Sequence, residues 1–236
     1  MNLTYAIPDL HGRYDLLEEA LIAIKNYDDY QFRPHKVVFL GDYIDRGPDS
    51  AKIIERLRQG PPKGWTWVTL KGNHEDMMVE TLTKPLDPRW WIGNGGDATL
   101  HSFDGHVTDS VVKWANRLPL YYIDKHRVFV HGGVHPDINM VEQNSEELLW
   151  MRLPYEKEGY YTLVDGEYKE THHVVHGHTP HPKGPIVTKG RTNLDTLAWA
   201  TGRLVIGVFD DDVPGGAIDY ITVQGPRYNL MTNDYE

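Results

Sequence analysis

Five short clusters of polar residues, each directly behind a run of β-prone residues, restrict the fold of this 236-residue chain more than any other feature. Asp9-Leu10-His11-Gly12 follows Leu3 to Ile7, Gly41-Asp42-Tyr43-Ile44-Asp45-Arg46-Gly47 follows Val37 to Leu40, and Gly72-Asn73-His74-Glu75 follows Trp67 to Leu70. His131-Gly132-Gly133 follows Val128 to Val130, and His176-Gly177-His178-Thr179 follows Val174 and Val175. Polar groups collected where strands end describe an α/β sheet that binds its ligand outside the carboxyl ends of its strands. The donors are carboxylates, an amide oxygen and imidazoles, and the chain has no cysteine. Such hard or borderline ligands suit Mn, Fe or Zn held as a bridged pair better than a structural zinc.

The segments between the clusters support alternating strands and helices. Leu16, Leu17, Ala20, Leu21 and Ile24 recur at helical spacing, with Asp15 and Glu18 near the start. Asp49 offers a cap for a second helix carrying Ile53, Ile54 and Leu57, which ends near Gly60-Pro61-Pro62. A short helix is expected from Glu75 to Leu82. Three strand, loop and helix units in succession favour parallel strand pairs with flanking helices. Residues 84–105 are rich in Gly, Pro and Trp without a clean period, and read as an insertion at the rim of the site. Beyond them, runs at 120–123, 128–131, 174–176, 191–195, 204–209 and 218–224 predict a β-rich second half. The acidic group Asp210-Asp211-Asp212 reads as a solvated turn.

Composition narrows the function classes. The length suits one α/β domain over residues 1–236 rather than two independent cores. No segment approaches the roughly 20 apolar residues of a membrane helix. The start, Met1-Asn2-Leu3-Thr4-Tyr5, lacks a basic and apolar signal core, so a cytoplasmic location is expected. The formal charge of −10 argues against a general nucleic-acid binder, whose affinity rests on cationic side chains. It leaves a phosphorylated substrate open, because two bound dications reverse the local potential.

Read in order, the clusters resemble the metal-dependent phosphoprotein phosphatase (PPP) family of the calcineurin-like metallophosphoesterases, whose motifs are GDxHG, GDxxDRG, GNHE, H(G/A)G and GHT. The likeness runs from residue 9 to about residue 210. RWWIGNGG (89 to 96), NRLPLYYI (116 to 123), LLWMR (148 to 152) and NLDT (193 to 196) are similar to the bacterial and phage members typified by bacteriophage lambda phosphatase. One departure is Pro8, where the family has glycine. Proline has no amide donor, and at the end of a strand no further ladder bond is required of it.

The resemblance implies a fold, a site and a reaction. The fold is α/β, with mixed β-sheets layered between helices and a dinuclear metal site at the C-terminal strand ends. Asp9 and His11 would bind the first metal, Asp42 would bridge both, and Asn73, His131 and His178 would complete the second. The two divalent ions, manganese first with iron or zinc as options, would sit about 3.5–4 Å apart, polarise one hydroxide for direct attack on phosphorus and clamp its oxygens. Arg46, Arg152, Asn73 and His74 would hold the phosphate, the arginines through their fixed fork of donors. Asp45 would orient His74, which would protonate the leaving oxygen.

The implied activity is that of a phosphomonoesterase on phosphoprotein serine or threonine, with tyrosine a further option. A dinucleoside tetraphosphate hydrolase is the alternative, followed by a phosphodiesterase. The last is disfavoured because Pro180 stands two residues beyond His178, where many such enzymes place a further ligand. Partners are expected to be a phosphoprotein or a phosphorylated small molecule, with no nucleic acid and no membrane. His135, His172, His173, His176 and His181 read as structural or surface histidines. Trp90 and Trp91, with Asn94-Gly95-Gly96, read either as a substrate wall or as packing under the insertion.

Overall fold

The computed structural model describes residues 2–27, 35–135, 138–152, 172–229 and 234–235. Period-two alternation builds the first sheet. Leu3, Tyr5 and Ile7 of β1 (Leu3–Ile7), with Val37 and Phe39 of β2 (His35–Phe39), face the helices, while Ala6 and Val38 face the opposite way. β3 (Trp65–Thr69) pairs in parallel with β2, as β2 does with β1. The helices between them are α1 (Tyr14–Tyr27), α2 (Ser50–Gln59) and α3 (Asn73–Thr83). Leu16, Leu17, Ala20 and Ile24 of α1 and Ile53, Ile54 and Leu57 of α2 are buried in one core with the first sheet. The three strand, loop and helix units and their parallel pairing are therefore as expected.

Pro8 falls just past the last ladder position, Ile7 opposite Phe39, so its missing donor costs the sheet nothing. Asp49 differs from expectation. It precedes α2, but its carboxylate makes no capping bond and instead meets Lys52 Nζ at 2.7 Å.

Residues 84–105 depart further from the sequence reading, being largely helical. α4 (Arg89–Trp91) runs through a π-type turn (Ile92–Gly96) into α5 (Asp97–Ser102), with Gly95 breaking the path at φ 103°. Each piece is too short, and the glycine break too abrupt, for an amphipathic period to accumulate. α6 (Asp109–Asn116) follows and adds Val111, Val112 and Ala115 to the helical core.

The second half supplies the second sheet, in the order β4 (Tyr121–Ile123), β5 (Arg127–Val130), β6 (His173–His176), β8 (Arg191–Asn193), β7 (Ile186–Val187). β5, β6 and β8 are parallel, flanked by antiparallel β4 and β7. β9 (Arg203–Asp210) and β10 (Asp219–Gln224) return to the first sheet and extend it past β1. α7 (Ser145–Trp150) lies outside the second sheet, where Leu148 joins Val128, Val130 and Val174, and α8 (Ala198–Thr201) precedes β9. Between the sheets, Ala6, Val38, Leu40, Leu70 and Phe209 on the first-sheet side meet Phe129, Val175 and Leu194 on the second. That shared core aligns the two sets of parallel strands, so loops from both sheets can meet.

The acidic group after β9 is only partly a solvated turn. Asp210 is buried, and Asp211 accepts from Thr4 Oγ1 at 2.6 Å and Lys36 Nζ at 3.1 Å. The pairing of β9 with β1, and of Thr4 in β1 with Lys36 in β2, brings these donors beside it. No helix among the described residues is long and apolar enough to cross a membrane.

Candidate active site

The loops after β1, β2, β3, β5 and β6 converge on one buried centre. Their backbones are strained into position. Of the seven described non-glycine residues with positive φ, five are His11, Asp42, Asp45, Arg46 and His178. Glycines make the close approaches possible. A Cβ on Gly72 would lie 2.2 Å from Asp42 Oδ1, and one on Gly177 would lie 2.0 Å from Asp9 Oδ1.

Two groups of ligand atoms share Asp42. His11, Asp42 and His74 form one, and Asp42, His131 and His178 form the other, all buried and within 4.8 Å inside each group. Asp42 Oδ1 accepts the His74 amide at 3.0 Å, so this carboxylate also sits on the positive end of α3. Asn73 Oδ1 lies 2.8 Å from His131 Nε2 and 3.0 Å from His178 Nδ1. Asp9 reaches the centre through both oxygens, each 3.1 Å from the His178 amide. Four of the six candidate ligands, His11, Asp42, His131 and His178, thus fall in the two groups, with Asn73 and Asp9 beside them and His74, expected as the proton donor, in the first group.

The donor set fits a bound cation. His131 Nδ1–H donates to Leu40 O at 2.9 Å, which leaves Nε2 as a lone pair in the neutral ring. That lone pair faces Asn73 Oδ1 and, at 3.3 Å, Asp42 Oδ1. Acceptors aimed at acceptors need a positive charge between them. Burial lowers the His131 pKa, but the charge of Asp42 and its hydrogen bond, then Asp9, lift the net value to about 9. The same field that holds a proton on Nε2 would hold a metal ion. His11 has the same arrangement, its Nδ1–H on Ile44 O at 2.9 Å and Nε2 turned inward, 3.5 Å from Asp42 Oδ2.

Carboxylates outnumber the charges that could balance them. Burial, then Asp195 and Asp42, raises Asp9 well above the carboxylate range despite His131 and the His178 amide. Burial pushes Asp195 up to about 6, assisted by Asp42. Burial also works against Asp42, yet the charges of His131 and His74 hold it well below the usual range. Burial lowers His178 to about 3, with His131 adding repulsion, so its ring is neutral.

Arg46, Asp45 and His74 complete the centre. His74 Nδ1–H donates to Asp45 Oδ2 at 2.6 Å. Arg46 directs Nη1 to His11 Nε2 at 3.0 Å and Nη2 to His74 Nε2 at 3.3 Å. Arg152 Nε donates to His178 Nε2 at 3.2 Å, so both candidate phosphate-binding arginines reach the site.

A family profile described as calcineurin-like phosphoesterase matches residues 4–207, which is most of the chain. The protein belongs to the calcineurin-like phosphoesterases. Within them it sits in the PPP branch, being 32% identical over 204 residues to serine/threonine-protein phosphatase 1 of Salmonella typhimurium, across 85% of this chain and 69% of that one. A match to serine/threonine-protein phosphatase 2 of Escherichia coli is 33% identical but spans 39% of this chain and 38% of that protein. Bis(5'-nucleosyl)-tetraphosphatase PrpE of Bacillus cereus is 25% identical over 224 residues, across 84% and 87% of the two chains. A crystal structure of a putative diadenosine tetraphosphatase shares the fold, with TM-score 0.63 and 20% identity over 95% of this chain and 94% of that one. This calcineurin-like phosphoesterase is accordingly a hydrolase of the phosphoesterase kind. The family uses divalent metals, and the His and Asp clusters fit them.

Several residues of the site carried no role in the sequence reading. Glu75, wholly buried, accepts the amides of Asp42 and Gly72 at 2.9 Å, Tyr43 at 2.8 Å and Ile44 at 3.3 Å, tying the second metal loop to the start of α3. Burial and the neighbouring Asp42 push it up to about 7. Its place inside GNHE and that of Asp195 inside NLDT were the available signals. Neither ligand group includes His135, His172, His173, His176 or His181. The two tryptophans part company. Trp90 is 55% exposed and stacks on Trp150 at 5.6 Å, which in turn meets His178 edge-on at 5.9 Å. Trp91 is buried and is not a substrate wall.

Proposed function

We propose that this chain is a manganese-dependent phosphomonoesterase, built as one domain over residues 1–236, that acts on phosphoserine and phosphothreonine in proteins, with phosphotyrosine a further substrate. The observation that carries the reading is the intact Asp45 and His74 pair, 2.6 Å apart, beside the shared carboxylate Asp42. A serine or threonine alkoxide is a poor leaving group and needs a proton as the P–O bond breaks. A nucleotide phosphate leaving from an anhydride is a weak base and gains much less from a proton donor.

Asp9, His11 and Asp42 would hold one ion, and Asp42, Asn73, His131 and His178 the other. When bound, the ions supply Lewis-acid polarisation and an activated nucleophile at neutral pH. The remaining work belongs to side chains. Arg46 and Arg152 bind phosphoryl oxygens and absorb charge developing there. Asn73 and His74 flank the same oxygens. Doubly protonated His74 gives its Nε2 proton to the leaving oxygen and is left as the neutral Nδ1–H tautomer, whose hydrogen bond Asp45 accepts.

A second reading, hydrolysis of dinucleoside tetraphosphates, is favoured by the likeness to PrpE and to the diadenosine tetraphosphatase structure. The test compares kcat/KM with Mn for a phosphoserine peptide, a dinucleoside tetraphosphate and an aryl phosphodiester. The peptide is expected to rank first. A tetraphosphate preference of about tenfold or more, some 1.4 kcal/mol in transition-state binding, replaces the first reading with the second.

A further inference from the structure

The helical segment behind the site makes contacts that the metal and phosphate roles do not use. Asp45 is 0% exposed, so its carboxylate must find donors within the protein. His74 takes Oδ2. Trp91 Nε1–H is shared across both oxygens, 3.1 Å from Oδ1 and 3.0 Å from Oδ2, and Thr99 Oγ1 donates to Oδ1 at 2.6 Å. The Asp45 amide in turn donates to Thr99 Oγ1 at 2.8 Å and Ser50 Oγ at 3.1 Å. Between the two donors lies Gly95, whose carbonyl accepts the Arg46 amide at 3.1 Å. A Cβ at position 95 would stand 2.8 Å from that amide nitrogen.

We propose that Trp91 and Thr99 are positioning residues for proton transfer: they lock the Asp45 carboxylate so that doubly protonated His74 keeps its Nδ1–H on Asp45 and presents its Nε2–H to the leaving oxygen. The inference rests on the reading of His74 as general acid. Three features support it. An indole is a neutral donor that spreads the carboxylate charge without competing for the imidazole proton. Trp91 is 1% exposed, and its ring lies so close to Gly96 that a Cβ there would come within 2.7 Å of it, so the indole has no freedom to turn. The hydroxyl of Thr99 holds the other oxygen, so the carboxylate plane is set at both ends.

The test is the dependence of kcat on the leaving group. Trp91→Phe keeps the bulk and removes the N–H, and Thr99→Val removes only the hydroxyl. Each is expected to lower kcat on a phosphoserine peptide by about tenfold or more, and on p-nitrophenyl phosphate by less than about threefold. KM and the Mn stoichiometry from titration calorimetry should be unchanged, and Thr99→Ser should restore the valine loss. In a His74→Asn background Trp91→Phe should cost nothing further, because the two act through one proton.

Equal losses on both substrates, or an additional loss in the His74→Asn background, overturn the positioning role. Thr99→Val keeps the test open if Trp91→Phe lowers the yield of folded protein. His74→Asn alone separates the two claims. A selective loss there combined with a uniform loss for Trp91→Phe removes only the positioning role. A uniform loss for His74→Asn removes the general acid and this inference with it.

Discussion

A single methyl group on residue 177 is expected to disable the metal centre while leaving the fold intact. The Cβ of Gly177→Ala would lie 2.0 Å from Asp9 Oδ1, and real Cβ atoms essentially never approach closer than 3.0 Å. The carboxylate must therefore retreat by about 1 Å, roughly five times the ±0.2 Å tolerance of a metal bond. It has little room to do so, because Asp9 is buried and both its oxygens accept the His178 amide at 3.1 Å. Gly177 is not in the left-handed region, so alanine meets no backbone penalty of its own.

The expected result is loss of one tight Mn site and a fall in kcat of about 10²-fold, the scale associated with a 1 Å misplacement. Titration calorimetry on chelator-stripped protein reads the first quantity, with two ions expected for the parent. Hydrolysis of p-nitrophenyl phosphate reads the second. Gly93→Ala serves as control, since its Cβ meets nothing within 4 Å. Two Mn ions bound with parental affinity by Gly177→Ala, together with unchanged kcat, would refute the assignment of Asp9 to the metal centre.

Asp42→Asn is expected to abolish activity and leave fewer than two ions per chain by plasma emission, because both ligand groups depend on that carboxylate. Arg152→Ala should lower kcat/KM for phosphomonoesters by about 10- to 100-fold, the value of one hydrogen bond to a charged group, with circular dichroism unchanged. The pH dependence of stability has its own test in His173, lowered to about 4 by burial and by Arg127, away from the metal loops. Its folded pKa lies below the unfolded value near 6.5, so the unfolded chain binds more protons between about 4 and 6.5 and acidification favours unfolding. From pH 7 to pH 5 this residue alone should cost on the order of 2 kcal/mol. Urea midpoints at the two pH values should converge in His173→Gln, and an undiminished pH effect there would assign the acid sensitivity to other groups.

Much of the site was legible in the sequence because its signals are local. A β-prone run followed within one to three residues by Asp9, Asp42, Asn73, His131 or His178 specifies both a strand and what stands at its end. The buried stripes of α1 and α2 read correctly for the same reason, each repeating over several turns. The failures are equally local in origin. Residues 84–105 looked aperiodic because α4 and α5 are short pieces joined through Gly95, and Asp49 looked like a cap because a sequence cannot show that Lys52 takes its carboxylate.

What the chain alone determined is the order of strands and helices and the donor types at each strand end, since both depend on residues adjacent in sequence. Tertiary structure decided which groups meet and in what protonation state. His131 is oriented by Leu40, 91 residues away, and Asp45 is held by Trp91 and Thr99, 46 and 54 residues away. Hydrogen bonds form only at contact distance, and burial of Asp9, Asp42 and Asp195 in one low-dielectric space exists only once the two sheets share a core. For that reason Trp91, read from sequence as wall or packing, acquired a chemical partner only when the fold placed its indole against a buried carboxylate.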